Sequence, residues 1–305
     1  MGRRGELRDA LSITKFLEVL KDETGDGCRI AIIDSGVAEE LEAQDVINLT
    51  DESIIDTEEH GSIIQHIIHH ILPEAEIYVV KVLDPVPDHV LISALNEAMK
   101  WRPHAINLSI TSEIPSDGSD PVSLYSDHVS KTSVVAVSAG NGGPRFMTIG
   151  SPAVAREVLT VGATDTRGRL WVKSSRGPTL DGRWKPNIVA PTNYIIPEVS
   201  EEETWPGTSF STPIATALAA ILMRDIGDSF VTRRAIEFSA TSIPIIFTGR
   251  RITLPKFRKA SLIKKLLETW PRLMDSRNLI GMGLLNAVEA VKVVKRLREI
   301  KTVET

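Results

Sequence analysis

Short, uninterrupted apolar runs separated by helix-length segments constrain this chain more than any other feature. Arg29-Ile-Ala-Ile-Ile33, ending at Asp34, is the first such run. Ile77-Tyr-Val-Val-Lys-Val82, Ala105-Ile-Asn-Leu-Ser109, Ser133-Val-Val-Ala-Val-Ser138 and Val158-Leu-Thr-Val-Gly162 follow. Between and after them, His60 to Leu72 and Val90 to Trp101 read as helices, and Ser209 to Arg224 as a helix rich in Ala, Ile and Leu. A strand that is apolar throughout must be covered on both faces, and strands that alternate with helices pair in parallel. The expected architecture is therefore α/β, a three-layer sandwich with a mostly parallel central sheet. Ligands of such sheets bind beyond the carboxyl ends of the strands. Asp34, ending one strand, and Asn141, following another, should then face the same crevice.

The 305 residues suffice for one large domain, and 42% hydrophobic content supports a real core. A formal net charge of −5 argues against nucleic-acid binding, which favours a basic excess. No apolar run approaches the ~20 residues of a membrane span, and no secretory apolar core follows the N-terminus. Cys28 is the single cysteine, so no internal disulfide forms; this fits a reducing compartment. Its plain reading is a small filler near the core. The expectation is a cytoplasmic protein.

Residues 5–22 read as one amphipathic helix with Leu7, Leu11, Leu17 and Leu20 on a face, ended by Gly25 and Gly27. This divides the chain into an N-terminal helical extension, 1–25, and a main domain, 26–305. Within the latter, 249–273 is a basic insertion from Arg250 to Arg272 with Glu268 its one acid. A solvated face is the plain reading; docking of an acidic partner at 250–265 is the alternative. Helical spacing resumes from Leu284 to Lys301.

Peptide hydrolysis needs a nucleophile, a base, a group that orients the base, and donors for the oxyanion. Ser209 lies in Gly207-Thr208-Ser209-Phe210-Ser211-Thr212-Pro213 at a predicted helix start, where developing negative charge is favoured. Its plain alternative is a helix cap. Pro213 is expected within the first turn, where its missing N–H does little harm. His60 opens another predicted helix. Asp34 stands at the sheet edge, where turn formation is the ordinary use. Asn141, in Ser138-Ala139-Gly140-Asn141-Gly142, offers a side-chain amide as oxyanion donor, or else an ordinary turn.

Taken singly these signals are weak, but together they follow the order Asp, His, Ser. Asp34-Ser35-Gly36, His60-Gly61-Ser62, Ala139-Gly140-Asn141 and Gly207 to Pro213 resemble the motifs of the subtilase family of serine peptidases. Lys185-Pro186-Asn187-Ile188-Val189-Ala190-Pro191 and Gly281-Met282-Gly283 resemble further family segments, so the likeness runs from about residue 28 to 295. It implies a subtilisin-like fold and a serine endopeptidase with Ser209 as nucleophile, His60 as base, Asp34 as its orienting acid and Asn141 as oxyanion donor. It also implies that Ser109-Ile110-Thr111 pairs with an extended peptide or protein substrate. Ser138-Ala139-Gly140 would wall the first specificity pocket, with Gly150 near its base leaving space for a sizeable side chain. Thr111 stands where the family usually has glycine, and would narrow the groove.

The resemblance implies no required cofactor. Calcium is familiar in the family, but the stretch from Asp34 to His60 is short and no site is readable. His66 and His70 have the i,i+4 spacing of zinc ligands but lack an accompanying Glu, and no metal site is expected. With Gln65, His66 stands where small residues usually pack, implying a changed helix interface. The rival from another class is an inactive subtilase-fold peptide-binding or scaffold protein, disfavoured because a binding module has no need of all four groups. A serine esterase or peptide ligase would use the same acyl-enzyme.

Overall fold

A computed structural model describes residues 5–244 and 275–303. The basic segment 249–273, and the docking surface expected at 250–265, lie outside the described residues. Seven strands form one sheet: β1 (Arg29–Asp34), β2 (Asp45–Asn48), β3 (Glu76–Lys81), β4 (Ala105–Leu108), β5 (Val134–Ser138), β6 (Leu159–Thr164) and β7 (Ile188–Pro191). Their order is β2-β3-β1-β4-β5-β6-β7, and every neighbouring pair is parallel. The helices are α1 (Leu7–Ile13), α2 (Phe16–Val19), α3 (His60–Ile71), α4 (Asp88–Ala98), α5 (Pro121–Val129), α6 (Thr208–Ile226), α7 (Ser229–Ser239), α8 (Arg277–Ile280) and α9 (Ala287–Val303).

Strand alternation builds the layers. Ile30 and Ile32 point to one face, where they join Ile64 and Ile67 of α3 and Leu218 of α6. Ala31 and Ile33 point to the other, against Leu95 of α4 and Val122 of α5. The chain is thus a three-layer α/β sandwich. Because β1 is flanked by β3 on one side and β4 on the other, the strand order reverses there. That switch point opens a crevice at the carboxyl ends of β1 and β4, just where Asp34 and Ser109 lie.

Two local expectations change. The helix over 5–22 is two short ones, broken at Lys15, whose φ is +57°. Leu7, Leu11 and Phe16 sink into the main core, and the Leu7 N–H donates to the Ile195 carbonyl at 2.8 Å. The extension is therefore a part of the domain's core packing. The helix at α6 begins at Thr208, which makes Pro213 its sixth residue and puts it beyond the first turn. The strand β2 and helices α5 and α7 carry little continuous apolar signal; β2 is an edge strand with no fully buried residue.

Candidate active site

Asp34 ends β1 with its side chain buried. Its Oδ1 accepts from the Ser35 N–H at 2.9 Å and from His60 Nδ1 at 2.7 Å. A carboxylate only accepts, so Nδ1 carries the hydrogen and Nε2 is left as the basic nitrogen. Asp34 Oδ2 is buried with no hydrogen-bond partner among the described residues. Burial pushes the His60 pKa down; the charge and hydrogen bond of Asp34, with Asp56 and Glu58 behind it, outweigh burial, and the net shift is upward. The ring leans on Phe210, centroid to centroid 5.4 Å.

The start of α3 is locked to the end of β1. The Ser35 hydroxyl accepts from the Gly61 N–H at 2.9 Å. A Cβ at Gly61 would stand 2.8 Å from the Gly36 carbonyl oxygen, so only glycine lets the two segments approach this closely. Further along α3, the Gln65 carbonyl accepts from the Ala38 N–H at 3.0 Å and His66 Nε2 meets Glu40 at 2.6 Å. These two polar residues tie the 38–41 loop to the helix. His70 meets Glu198 instead, at 2.8 Å, so the two histidines face different partners. Among the described residues no group of three or more metal-ligating side chains comes together.

Ser209 is the second residue of α6. Gly207 precedes the helix at φ +145°, in the region that glycine alone enters readily. The Ser209 hydroxyl donates to the Ser109 carbonyl at 3.2 Å, a resting position in which it is not bonded to His60. Pro213 has a function that its expected first-turn position would not give it. In α6 the carbonyl four residues before a proline loses its helical donor, and here that carbonyl belongs to Ser209. The Ser109 hydroxyl fills the gap, donating to the Ser209 carbonyl at 2.9 Å. Asn107 donates in turn to the Ser109 hydroxyl, and Thr216 to Asn107, each at 2.9 Å. The Ser209 backbone is thereby tied to β4 through a buried polar chain.

Asn141 follows β5. Its Oδ1 accepts from the Thr208 N–H and the Thr208 hydroxyl, both at 3.1 Å. That assigns the oxygen and leaves Nδ2 beside Gly207, the residue that precedes α6. Thr208 also accepts from the Gly140 N–H at 3.0 Å. A small cavity of about 100 Å³ opens beside Ser209, lined by Ser109, Thr111, Ser138, Gly140 and Asn141 among others. Ile110 packs on the sheet face that carries Ala31 and Ile33, and Ala139 is fully buried there; neither is among the residues that line the cavity. The expectation for Gly150 changes as well. A Cβ there would lie 2.0 Å from the Ser112 carbonyl oxygen. The glycine admits the backbone of 112–114, not a substrate side chain. Thr148, Ser175, Ser112 and Glu113 line the cavity unforeseen; they come from loops in which nothing marks them as lining.

Comparison with known proteins bears on the family and the fold. The subtilase family pattern matches residues 25–238. Serine protease AprX of Bacillus subtilis is 36% identical over 118 residues, covering 31% of this chain and 27% of AprX. Subtilisin BL of Lederbergia lenta is 27% identical over 213 residues, 64% of this chain and 73% of that protein. Pyrolysin of Pyrococcus furiosus is 29% identical over 167 residues, which is 12% of its length. The chain thus spans only a minor part of AprX and of pyrolysin. Among solved structures, MycP1 with its N-terminal propeptide removed superposes with a TM-score of 0.67 at 18% identity, covering 95% of this chain and 97% of that one. The prenylagaramide maturation protease PagA gives 0.66 at 21% identity, with 92% and 98% covered. At these identities both speak for the fold.

Proposed function

Because this chain belongs to the subtilase family, we propose that it is a serine endopeptidase that cleaves peptide bonds through an acyl-enzyme on Ser209. The observation that carries this reading is the 2.7 Å contact of His60 Nδ1 with Asp34 Oδ1 in the crevice that also holds Ser209. His60 Nε2 takes the Ser209 proton as Oγ attacks the scissile carbonyl carbon. Asp34 holds the imidazole tautomer and stabilises the imidazolium that forms. Asn141 Nδ2 and the Ser209 N–H receive the oxyanion. His60 then returns the proton to the leaving amine, and water repeats the sequence to release the acid.

Peptide or protein segments are the substrates of this reading, and no step calls for a cofactor. A cytoplasmic setting is part of the proposal and is supported by the single cysteine, buried and unpaired. A restricted substrate range is supported by Thr111 in the cavity wall. Among the described residues no helix is long and apolar enough to cross a membrane. The test is labelling with a serine-directed fluorophosphonate. Wild type is expected to label and Ser209→Ala to fold without labelling. Equal labelling of both, or none of either, refutes the proposal. Digestion of casein by wild type then separates a general protease from a narrow one.

A further inference from the structure

Resting on the serine-protease reading above, we propose that Thr111 restricts the residue on the acyl side of the cleaved bond to a small side chain: glycine, alanine or serine. The acyl carbonyl carbon must sit against Ser209 Oγ with its oxygen at Asn141. The side chain on the adjoining Cα then enters the cavity beside Ser209, between the segment that follows β4 and the segment that follows β5. Thr111 belongs to the first wall and Gly140 to the second.

The two walls touch. A Cβ at Gly140 would stand 3.1 Å from Thr111 Cγ2 and 3.0 Å from Ser175 Oγ, so the threonine methyl and the serine hydroxyl together close on the room that Gly140 leaves. The methyl is not free to swing away. Thr111 Oγ1 donates to the Ser151 carbonyl at 3.2 Å, and a β-branched side chain has few alternative rotamers. The far end of the slot is closed by backbone. The Ser112 N–H donates to the Ser151 carbonyl at 2.7 Å, Pro115 bridges to Gly150, and the Ser112 and Ile114 carbonyl oxygens lie 2.0 and 2.8 Å from a Cβ built on Gly150. Waist and floor are both occupied, and the remaining lining is mainly hydroxyl and backbone. An aromatic or branched aliphatic side chain would have to displace main chain, which alanine or serine need not do.

The test measures kcat/KM on a peptide-ester series that differs only at the acyl-side residue: Gly, Ala, Ser, Leu, Phe and Lys. Wild type, Thr111→Ser, Thr111→Gly and Glu113→Gln are compared, with Ser209→Ala as control. Wild type is expected to favour Ala over Phe and Leu by roughly 100-fold, the scale on which a pocket excludes one methylene too many. Thr111→Ser keeps the hydrogen bond to Ser151 and removes only the methyl. It should raise the Phe-to-Ala ratio by about tenfold, and Thr111→Gly by about 10–200-fold. Cleavage that depends on Ser209 but runs as fast at Phe as at Ala overturns the assignment of Thr111 alone. A wild-type preference for Lys that Glu113→Gln abolishes overturns it too, in favour of selection by charge. Turnover undiminished in Ser209→Ala overturns the protease reading and this proposal with it.

Discussion

Replacing Asn141 by alanine is expected to lower turnover by about 10²–10³, the loss of ~2.7–4 kcal/mol that one preorganised oxyanion donor supplies. The direction of the amide follows from its partners. Thr208 offers an N–H and a hydroxyl to Oδ1, both at 3.1 Å, so turning the amide over would set donor against donor. The Nδ2 hydrogens are therefore fixed in direction, beside Gly207 at the start of α6, before any charge develops. Because the donor acts on charge that exists only in the transition state, kcat and kcat/KM should fall together while KM holds. Asn141→Asp separates this from a structural role. It keeps the Oδ1 acceptor for Thr208 and nearly the same shape, but sets a negative oxygen where the donor stood. Its loss should be at least as large as that of alanine. The assay is steady-state hydrolysis of an alanyl peptide ester, with circular dichroism to establish folding. Asn141→Asp within tenfold of wild type, or an alanine defect confined to KM, would refute the reasoning.

Other outcomes follow from the same geometry. The His60 pKa is raised above its ordinary 6.5, and the base must be neutral, so kcat/KM should rise through an inflection above pH 6.5. Asp34→Asn should move that inflection down. Stability runs the opposite way: the charged imidazole contributes fully below the unfolded value near 6.5 and loses that contribution as pH rises through the folded one, which pH-dependent chemical denaturation would measure. Ser109→Ala leaves the Ser209 carbonyl without the donor that Pro213 denies it. It should cost about 1–3 kcal/mol, read as a Tm lower by roughly 2–4 °C per kcal/mol; an unchanged Tm contradicts the buried chain. Cys28 is buried and its thiol is pushed up to about 12 by that burial. Iodoacetamide at pH 8 should leave it intact until the protein is unfolded. A chelator should leave activity unchanged, and a chelator-sensitive rate would point to a cation that this reading does not use.

The residues of the candidate site were readable because each belongs to a short contiguous motif. Asp34-Ser35-Gly36 marks the end of an apolar strand, and Gly207 to Pro213 marks a loop that turns into a helix. Such signals are local: the strand end, the glycine and the helix start lie within a few residues of one another. The break within 5–22 is illegible in the sequence for the converse reason. The leucine spacing is helical, but the chain turns at Lys15, where the neighbouring Thr14 carbonyl accepts from the Ala287 N–H and Phe16 sinks into the main core, and those partners lie far along the chain. Likewise Thr148, Ser175 and Glu113 reach the cavity from separate loops, and no spacing in the sequence links them.

The sequence by itself determined the alternation of buried strands and helices, and hence the parallel sheet with its crevice at the strand ends. It also carried the four groups whose chemistry suits acyl transfer, since composition and order along the chain are enough to state them. Only the tertiary structure decided how those groups are held and how much room they leave. The Ser209 carbonyl meets Ser109 because Pro213 falls at the sixth position of its helix. Gly150 admits backbone rather than substrate because 112–114 folds back across it. The Thr111 methyl closes on Gly140 because β4 and β5 are neighbours in the sheet and the segments leaving them run side by side. Steric fit and hydrogen-bond satisfaction act between residues that packing brings together, and a linear reading places no distance between them.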